Sequence, residues 1–364
     1  MNVLIITFDP PQEVGGIENR ARLYLRGLKK KGHNAYLISF VSKRYQNPDR
    51  LQKGDGLTVS LHSLNFFLTL INLLSFLKRM KIEAIFMLTG CLTLPGIYIL
   101  AYAKFARIRT TALLYGKDIL SARIKLTSEH FLLPLALKLA RRVAVNSMYT
   151  ASLLGNRVTG KTVILYPCID PYEMQLQSSH RKATNRIIFV GRLVRRKGVD
   201  DLIKAFYLVS KEFPDATLSI VGDGPELNNL RNIVSRLSLT NKVTFHGQLR
   251  GRLLYEVISG SNLLVLPSKT LSGDVEGFGT VILEAAFYSI PSIGTYSGGI
   301  KEAIIDGVTG KLVPESNPTE LSKAICYYLN NPQIIRRHGQ EARRRVLSGF
   351  ILDNSVELII SSFK

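Results

Sequence analysis

The chain has 364 residues, which is long enough for two domains that each bury a sizeable core. Hydrophobic residues make up 46% of it, which excludes an intrinsically disordered protein, and its formal net charge is +21. The three cysteines, Cys91, Cys168 and Cys326, lack metal-ligand spacing, and their odd number suits a reducing compartment.

Strand and helix patterns alternate in the first half of the chain. MNVLIITFDP has no basic segment ahead of its apolar run and no small-residue cleavage site, so a strand is predicted rather than a signal peptide. A loop at Gly15 and Gly16 follows, and then a helix that closes on Gly32. The next short apolar strands are AYLISFV, AIFML, TTALLY and RVAVNS. This alternation is typical of a parallel sheet covered by helices on both faces.

Two apolar segments raise the question of a membrane. The longest uncharged run, at 84–103, has the length of a membrane span, roughly 20 residues. Gly90, Pro95 and Gly96 interrupt it, so a buried strand, a turn and a helix are predicted instead. The segment 65–81 is apolar with a basic end, and a buried core helix and a membrane-touching helix both remain open for it.

The second half repeats the alternation, which predicts a second doubly wound domain. Its strands are RIIFVG, ATLSIVGDG, VTFHG, NLLVLPS and IPSIGT. The polar stretch 170–186 lacks periodicity and is predicted to be the linker. The expected domains are therefore 1–175 and 186–345, followed by a helix within 346–364 that could pack back on the first domain.

Charge is concentrated in the first half. Residues 1–182 hold 26 Lys or Arg and 10 Asp or Glu, whereas residues 183–364 hold 22 and 17. A basic domain can dock on anionic lipid head groups, and a generally basic soluble surface is the plain alternative. Nucleic acid is disfavoured as a partner, since the sequence has no aromatic-interleaved basic motif, zinc finger or basic helix.

A basic loop directly follows the strand RIIFV. GRLVRRKG places Arg192, Arg195, Arg196 and Lys197 at the carboxyl end of that strand, where doubly wound sheets bind ligands. Arg192 and Lys197 are five residues apart, so one loop can aim both at a diphosphate. A solvated basic turn is the alternative interpretation.

The stretch EGFGTVILE carries two carboxylates around a predicted helix start near Thr280. Glu276 precedes the helix and Glu284 lies one turn inside it, which separates them by roughly 8–12 Å. Each carboxylate can accept two hydroxyl hydrogen bonds, so one can hold a sugar and the other a ribose. In a glycosidase, by comparison, the two catalytic carboxyl groups lie roughly 5–9.5 Å apart on either side of one glycosidic bond. A D-x-D metal pair is absent from the sequence.

The ordered set of motifs resembles the family 4 retaining glycosyltransferases, also called glycosyltransferase group 1. The first half contributes GGIENRARLYLRGLKKKGHNAYLIS. The second contributes FVGRLVRRKGVDDLIKAF, IVGDGPE, VTFHGQL, the two glutamates of EGFGTVILE, and SGGIKEAIIDGVTGKLV. The resemblance covers nearly the whole chain. It implies an α/β fold of GT-B architecture, with two Rossmann-like doubly wound parallel-sheet domains facing a central cleft.

The resemblance also implies roles for individual residues. Arg192 and Lys197 look like the pair that holds the donor diphosphate, Glu276 like the contact to the transferred sugar, and Glu284 like the contact to the ribose. The remaining donor-binding positions that the resemblance implies are glycines and backbone groups: Gly15, Gly16, Gly222, Phe278, Gly279 and Thr280. The family needs no divalent metal, so no cofactor is expected.

One departure concerns the acceptor side. Many members have a histidine after the strand that corresponds to TTALLY, and this chain has Tyr115, with Asp118 three residues later. Asp118 can orient the acceptor hydroxyl or simply cap a helix. The expected function is transfer of a hexose or N-acetylhexosamine from a nucleoside diphosphate sugar to a lipid-linked or envelope polysaccharide acceptor.

The expected location is the cytoplasmic face of an anionic membrane, to which the protein would bind peripherally. Two alternatives stay open. The first is a sugar-nucleotide 2-epimerase, which would act on the donor alone. The second is a catalytically weak glycosyltransferase-like partner subunit, for which Tyr115 is the sequence hint.

Overall fold

The computed structural model describes residues 1–8, 16–41, 56–60, 66–123, 127–155, 160–175 and 185–364. The chain forms two compact units. The first comprises Met1–Tyr166 together with Leu352–Lys364, and the second comprises Pro167–Ile351. The chain therefore crosses between the units twice, once before residue 167, upstream of the expected linker, and once before residue 352.

The first unit is built on a seven-stranded parallel sheet with the order β3-β2-β1-β4-β5-β6-β7. Its strands are β1 Asn2–Thr7, β2 Asn34–Val41, β3 Gly56–Ser60, β4 Ala84–Met87, β5 Arg109–Leu114, β6 Arg142–Val145 and β7 Thr162–Ile164. Its helices are α1 Gly16–Lys30, α2 Phe66–Arg79, α3 Leu94–Phe105, α4 Gly116–Arg123, α5 Ser128–Leu139, α6 Met148–Leu154 and, from the end of the chain, α14 Leu352–Ser362. The strand order reverses between β1 and β4.

The central strands of this sheet are fully buried. Val3, Leu4, Ile5 and Ile6 of β1 are each 0% exposed, because helices cover both faces of the sheet. This is the reason that the strands appear in the sequence as continuous apolar runs instead of alternating ones.

The uncharged run at 84–103 divides as predicted. It forms β4, a turn, and most of α3, where Thr93 caps the helix by accepting the backbone N–H of Gly96. Within the described ranges, no helix is long and apolar enough to cross a membrane. Leu73 and Leu77 of α2 are buried in the core, so this half of the segment 65–81 packs as a core helix.

Helix α14 packs against α1 within the first unit. A β-carbon at Gly27 would lie 2.5 Å from Cγ2 of Val356, so the glycine allows the two helices to approach closely. Lys31 pairs with Glu357 at 2.6 Å, and the Thr111 and Ser362 hydroxyls are 2.8 Å apart. Residues 346–349 still belong to the preceding helix, so the predicted segment 346–364 is two elements in the structure.

The second unit has a six-stranded parallel sheet with the order β10-β9-β8-β11-β12-β13. Its strands are β8 Arg186–Val190, β9 Thr217–Val221, β10 Val243–Gly247, β11 Leu263–Leu266, β12 Ser292–Thr295 and β13 Gly310–Val313. Its helices are α7 Val199–Glu212, α8 Leu227–Arg236, α9 Gly251–Ser259, α10 Thr280–Phe287, α11 Ile300–Ala303, α12 Pro318–Asn330 and α13 Pro332–Gly349. Here the strand order reverses between β8 and β11.

Candidate active site

The candidate site lies where the strand order of the second sheet reverses. β8 and β11 are neighbours in this sheet, and the chain leaves them in opposite directions along it. Loops that follow two such strands form a crevice at the carboxyl edge of the sheet, which is the usual ligand site of doubly wound folds. The loop after β8 carries the basic residues, and the loop after β11 carries Glu276.

Glu276 is the centre of this crevice. It is 8% exposed, and one of its oxygens, Oε2, accepts three hydrogen bonds. Arg196 Nη1 donates at 2.8 Å, Lys197 Nζ at 2.5 Å and Ser268 Oγ at 3.1 Å. Among the described residues, no hydrogen bond to the other oxygen, Oε1, is found. The carboxylate is thus anchored through one oxygen and retains acceptor capacity on the other.

The surrounding cations keep Glu276 ionised. Burial alone would raise the pKa of this carboxyl group, but Lys197 and then Arg196 outweigh burial and lower the pKa to about 2. Arg196 also pairs with Asp274 at 3.1 Å from its Nε. The pKa of Arg196 is raised, because Glu276 and Asp274 together exceed the effect of its own desolvation.

The two basic residues that the sequence pairs, Arg192 and Lys197, have different environments in the structure. Lys197 contacts Glu276, whereas the side chain of Arg192 is exposed and has no partner among the described residues. Arg196 takes the second place beside Glu276. Sequence reasoning put Arg196 in the basic loop but gave it no role, and its position directly before Lys197 was the available signal.

A second set of ion pairs fixes the loop after β11. Lys269 Nζ lies 3.0 Å from Asp200 Oδ1 and 2.8 Å from Asp201 Oδ2, both in the first turn of α7. The backbone N–H of Lys269 also donates to the carbonyl oxygen of Arg196 at 2.6 Å. The two loops that hold Glu276 are therefore tied together next to it.

Two glycines, Gly222 and Gly279, adopt positive φ in the loops at this edge of the sheet. Gly222 has φ of +136°, and a β-carbon there would lie 1.9 Å from the carbonyl oxygen of Gly191. Gly279 has φ of +84° and directly precedes Thr280, the first residue of α10. Phe278, between Glu276 and this helix start, is 2% exposed.

Glu284 lies in the second turn of α10 and has a different environment from Glu276. Its side chain is half-buried, and no hydrogen bond or ion pair to it is found among the described residues. Burial raises the pKa of Glu284 to about 7. An acid that lacks a protein partner is a ready acceptor for ligand hydroxyl groups.

The residues that the sequence predicted for the acceptor side, Tyr115 and Asp118, lie in the first unit. Tyr115 OH accepts from Nη1 of the buried Arg20 at 3.4 Å, and the guanidinium lies 5.9 Å from the centre of the tyrosine ring. Asp118 Oδ2 accepts the backbone N–H of Tyr115 at 2.9 Å, which is the contact of a helix-capping carboxylate. Arg20 was not singled out from the sequence. The role of Asp118 toward an acceptor stays a prediction.

The sequence also predicted donor-binding roles for Gly15 and Gly16. Gly16 is the first residue of α1, and Gly15 lies outside the described residues. In the described portion of the chain, no three His, Cys, Asp or Glu side chains are grouped so that they could hold a metal ion.

The second unit matches a family model, glycosyl transferases group 1, over residues 173–345. These residues belong to the glycosyl transferases group 1. The resemblance predicted from the motifs is thereby confirmed, and the matched region includes Arg196, Lys197, Glu276 and Glu284.

Curated proteins are similar to part of this chain, and two bacterial ones illustrate the likeness. GDP-mannose-dependent alpha-(1-6)-phosphatidylinositol monomannoside mannosyltransferase of Mycolicibacterium smegmatis is 31% identical over 166 residues, 45% of this chain and 44% of that protein. N-acetyl-alpha-D-glucosaminyl L-malate synthase of Bacillus anthracis is 33% identical over 164 residues, 45% of this chain and 41% of that protein. The chain spans about half the length of the curated relatives it matches.

Several solved structures are similar over the whole chain. The Anabaena protein Alr3699/HepE, crystallised with UDP and glucose, gives a TM-score of 0.80 at 20% sequence identity. The superposition covers 100% of this chain and 99% of that one. The likeness confirms the predicted two-domain α/β fold of GT-B architecture.

Proposed function

We propose that the protein is a retaining glycosyltransferase that uses a nucleoside diphosphate sugar as donor. The observation that carries the proposal is the state of Glu276, which is buried and ionised and which the described residues bond through Oε2 alone. Such a carboxylate is held in place before a ligand arrives and can accept a hydroxyl hydrogen bond on Oε1. The sugar to be transferred is the ligand that fits this acceptor.

Cations and a helix start surround the place of the donor diphosphate. Lys197 has three N–H donors and uses one of them on Glu276, so it can also donate to a phosphate oxygen. The exposed Arg192 can swing toward the same group. The amino-terminal end of α10, which follows Gly279, contributes the positive end of its helix dipole. These groups stabilise the negative charge that develops on the departing diphosphate.

Glu284 is proposed to bind the ribose hydroxyls of the donor. Its carboxyl group lies on α10, eight residues after Glu276, and has no hydrogen-bond partner among the described residues. Gly222 completes the donor side, because a glycine there lets the loop after β9 pack closely against Gly191 in the loop after β8.

The proposed reaction keeps the configuration at the anomeric carbon. The acceptor hydroxyl attacks from the side on which the diphosphate leaves, its proton passes to the diphosphate, and the glycosidic bond forms as the sugar–phosphate bond breaks. The charges on Arg192 and Lys197 supply the electrostatic stabilisation, so no divalent metal is required. The donor sugar is proposed to be a hexose or N-acetylhexosamine.

The proposed acceptor is a lipid-linked saccharide or an envelope polysaccharide at the cytoplasmic face of a membrane. Two observations support it. Residues 1–182 carry 26 basic and 10 acidic side chains. The similar Mycolicibacterium protein is named for a phosphatidylinositol mannoside acceptor, which is a glycolipid.

Thermal stability with added nucleotides tests the donor site. We expect one of UDP, GDP, ADP and CDP at millimolar concentration to raise the melting temperature, since a ligand at a hundredfold its Kd adds about 2.7 kcal/mol. Glu284→Ala should abolish the shift, and Glu341→Ala on α13, a surface residue paired with Arg344, should retain it. If no nucleotide shifts the melt of the wild-type protein, the donor assignment is wrong.

Turnover tests the reaction itself. Purified protein is incubated with the nucleoside diphosphate sugars of the base identified above, with and without bacterial glycolipid extract, and released nucleotide and glycosylated product are measured. We expect an acceptor-dependent product with the donor's anomeric configuration, formed equally well in EDTA. A product of inverted configuration, or epimerised donor without acceptor, would contradict the proposal.

A further inference from the structure

We infer that the paired helices α3 and α5 form the surface by which this protein docks on an anionic membrane. The inference deepens the proposed function and rests on it only for the presence of a lipid-linked acceptor. The α3–α5 face is defined by five exposed apolar side chains. They are Leu94, Tyr98 and Phe105 on α3, and Phe131 and Leu135 on α5.

The first observation is that α3 exposes apolar side chains to solvent although its other side already packs in the core. α3 contributes Ile97, Leu100 and Ala103 to the core, yet its opposite side is apolar as well. Phe105 is 87% exposed and Leu94 is 64% exposed. A helix with apolar residues on every side is normally buried on every side or in contact with lipid.

The second observation is that α5 continues the same surface. The two helices pack against each other, and Lys104 Nζ donates to the carbonyl oxygen of Lys138 at 3.2 Å, which brings their carboxyl ends together. Phe131 is 66% exposed and Leu135 is 40% exposed, and they lie one turn apart. Two adjacent helices with protruding phenylalanines form a broad apolar surface, whereas single exposed apolar residues are ordinary.

The third observation is the charge around this surface. Residues 84–169 contain eleven Lys or Arg and two acids, Asp118 and Glu129. The cations at the carboxyl ends of α3 and α5 are all exposed: Lys104, Arg107, Lys138 and Arg141. Aromatic side chains that enter the head-group region, flanked by cations that meet lipid phosphates, are the two components of peripheral membrane binding.

The charge also argues against a second copy of the chain as the occupant. A two-fold dimer places the same patch on both sides of its interface. A dimer through the α3–α5 face would then gather eight exposed cations, four from each copy, around one contact. An anionic lipid surface complements this charge.

Vesicle binding with matched variants tests the inference. The probe is phosphatidylglycerol–phosphatidylcholine vesicles at low salt, with pure phosphatidylcholine vesicles for comparison, measured by cosedimentation. We expect wild-type protein to bind the anionic vesicles and to leave the neutral ones in solution. Phe105→Ser with Phe131→Ser should weaken binding at least tenfold, because each exposed phenylalanine loses its apolar contact with the bilayer. Lys138→Gln should weaken it about fivefold, since one cation near such a surface contributes about 1 kcal/mol.

The control is an exposed aromatic residue of the second unit. Tyr172 is 73% exposed, and Tyr172→Ser should bind vesicles as the wild type does. Unchanged circular dichroism and an unchanged nucleotide-induced melting shift verify that each variant is folded. This readout also keeps the docking test separate from the donor site, because a protein that binds nucleotide but ignores vesicles overturns only the docking surface.

Three results would overturn the inference. One is wild-type protein that does not bind anionic vesicles, and another is a double phenylalanine variant that binds them as tightly as the wild type. The third is a wild-type dimer in analytical ultracentrifugation that the double variant dissociates, which would make the α3–α5 face an interface between copies.

Discussion

Replacement of each glutamate of EGFGTVILE by glutamine should change stability in opposite directions. Glu276 is a carboxylate bonded to two cations whose side chains are only 16% and 12% exposed, and glutamine would leave Arg196 and Lys197 without their shared charge partner. Glu284 is half-buried without such partners, and glutamine would remove the need to ionise it. The two substitutions are isosteric, so each serves as the control for the other.

The magnitude for Glu276 follows from its pKa. A pKa lowered from 4.5 to about 2, at about 1.4 kcal/mol for each tenfold change in the proton equilibrium, corresponds to roughly 3 kcal/mol. Because the folded-state pKa lies below the unfolded value, this stabilisation is complete above about pH 5 and is lost as the pH falls toward 2. Breaking a buried ion pair from one side costs about 3–5 kcal/mol, which agrees.

For Glu284, ionisation has the opposite effect on the free energy of unfolding. Its folded-state pKa of about 7 lies above the unfolded value, so ionisation destabilises the fold above pH 7, and the effect disappears as the pH falls toward 4.5. We expect Glu284→Gln to stabilise the second unit by about 1–2 kcal/mol at pH 8, since solvent screens a partly exposed charge. At pH 5 the variant and the wild type should melt almost together.

The assay is calorimetric melting of the three proteins from pH 5 to pH 8. At pH 8 the order of stability should be Glu284→Gln, wild type, Glu276→Gln. The deficit of Glu276→Gln should be about 6–12 °C, given about 2–4 °C per kcal/mol for a unit of this size, and it should persist at pH 5. Equal melting of Glu276→Gln and wild type at pH 7 would refute the anchoring of Glu276 by Arg196 and Lys197.

Three further predictions concern the candidate site and its framework. Lys197→Ala should lower kcat about a hundredfold or more, because one electrostatic donor to a developing charge contributes on the order of 3 kcal/mol. Arg192→Ala should lower kcat equally but leave the melting temperature unchanged, since the Arg192 side chain has no partner among the described residues. Near-normal turnover in both variants would exclude the diphosphate role. Gly222→Ala should lower the melting temperature by several degrees, because its β-carbon would overlap the carbonyl oxygen of Gly191, and a melt equal to the wild type would contradict that contact. Gly27→Leu should destabilise the first unit and leave the nucleotide-induced melting shift unchanged, because its side chain would meet Val356 of α14.

The sequence predicted the fold from features with a direct physical cause. Buried parallel strands must be apolar along their whole length, so RIIFV and NLLVL could be identified as strands without the structure. Three edge strands were missed, since an edge strand is covered on fewer sides and its sequence is correspondingly less apolar: Gly56–Ser60, Thr162–Ile164 and Gly310–Val313.

The sequence predicted the kinds of residue that form the candidate site better than it predicted which of these residues contact one another. Glu276 and Lys197 were named from spacing alone, and the structure brings them into contact. That Arg196 joins Lys197 at Glu276 depends on how the 3₁₀ turn Arg195–Lys197 directs consecutive side chains, which spacing does not determine. Arg20 escaped notice because its partner, Tyr115, is 95 residues away in the sequence.

The placement of α14 has a consequence for synthesis of the protein. The first unit includes residues from both ends of the chain, so it lacks a helix until residues 352–362 have been translated. At about 5–20 residues per second, translation of the intervening residues takes roughly 10–40 s, during which the second unit can fold on its own. Throughout that interval the groove on α1 beside Gly27 remains uncovered. A chaperone would therefore find apolar surface to bind on the first unit during translation of the second.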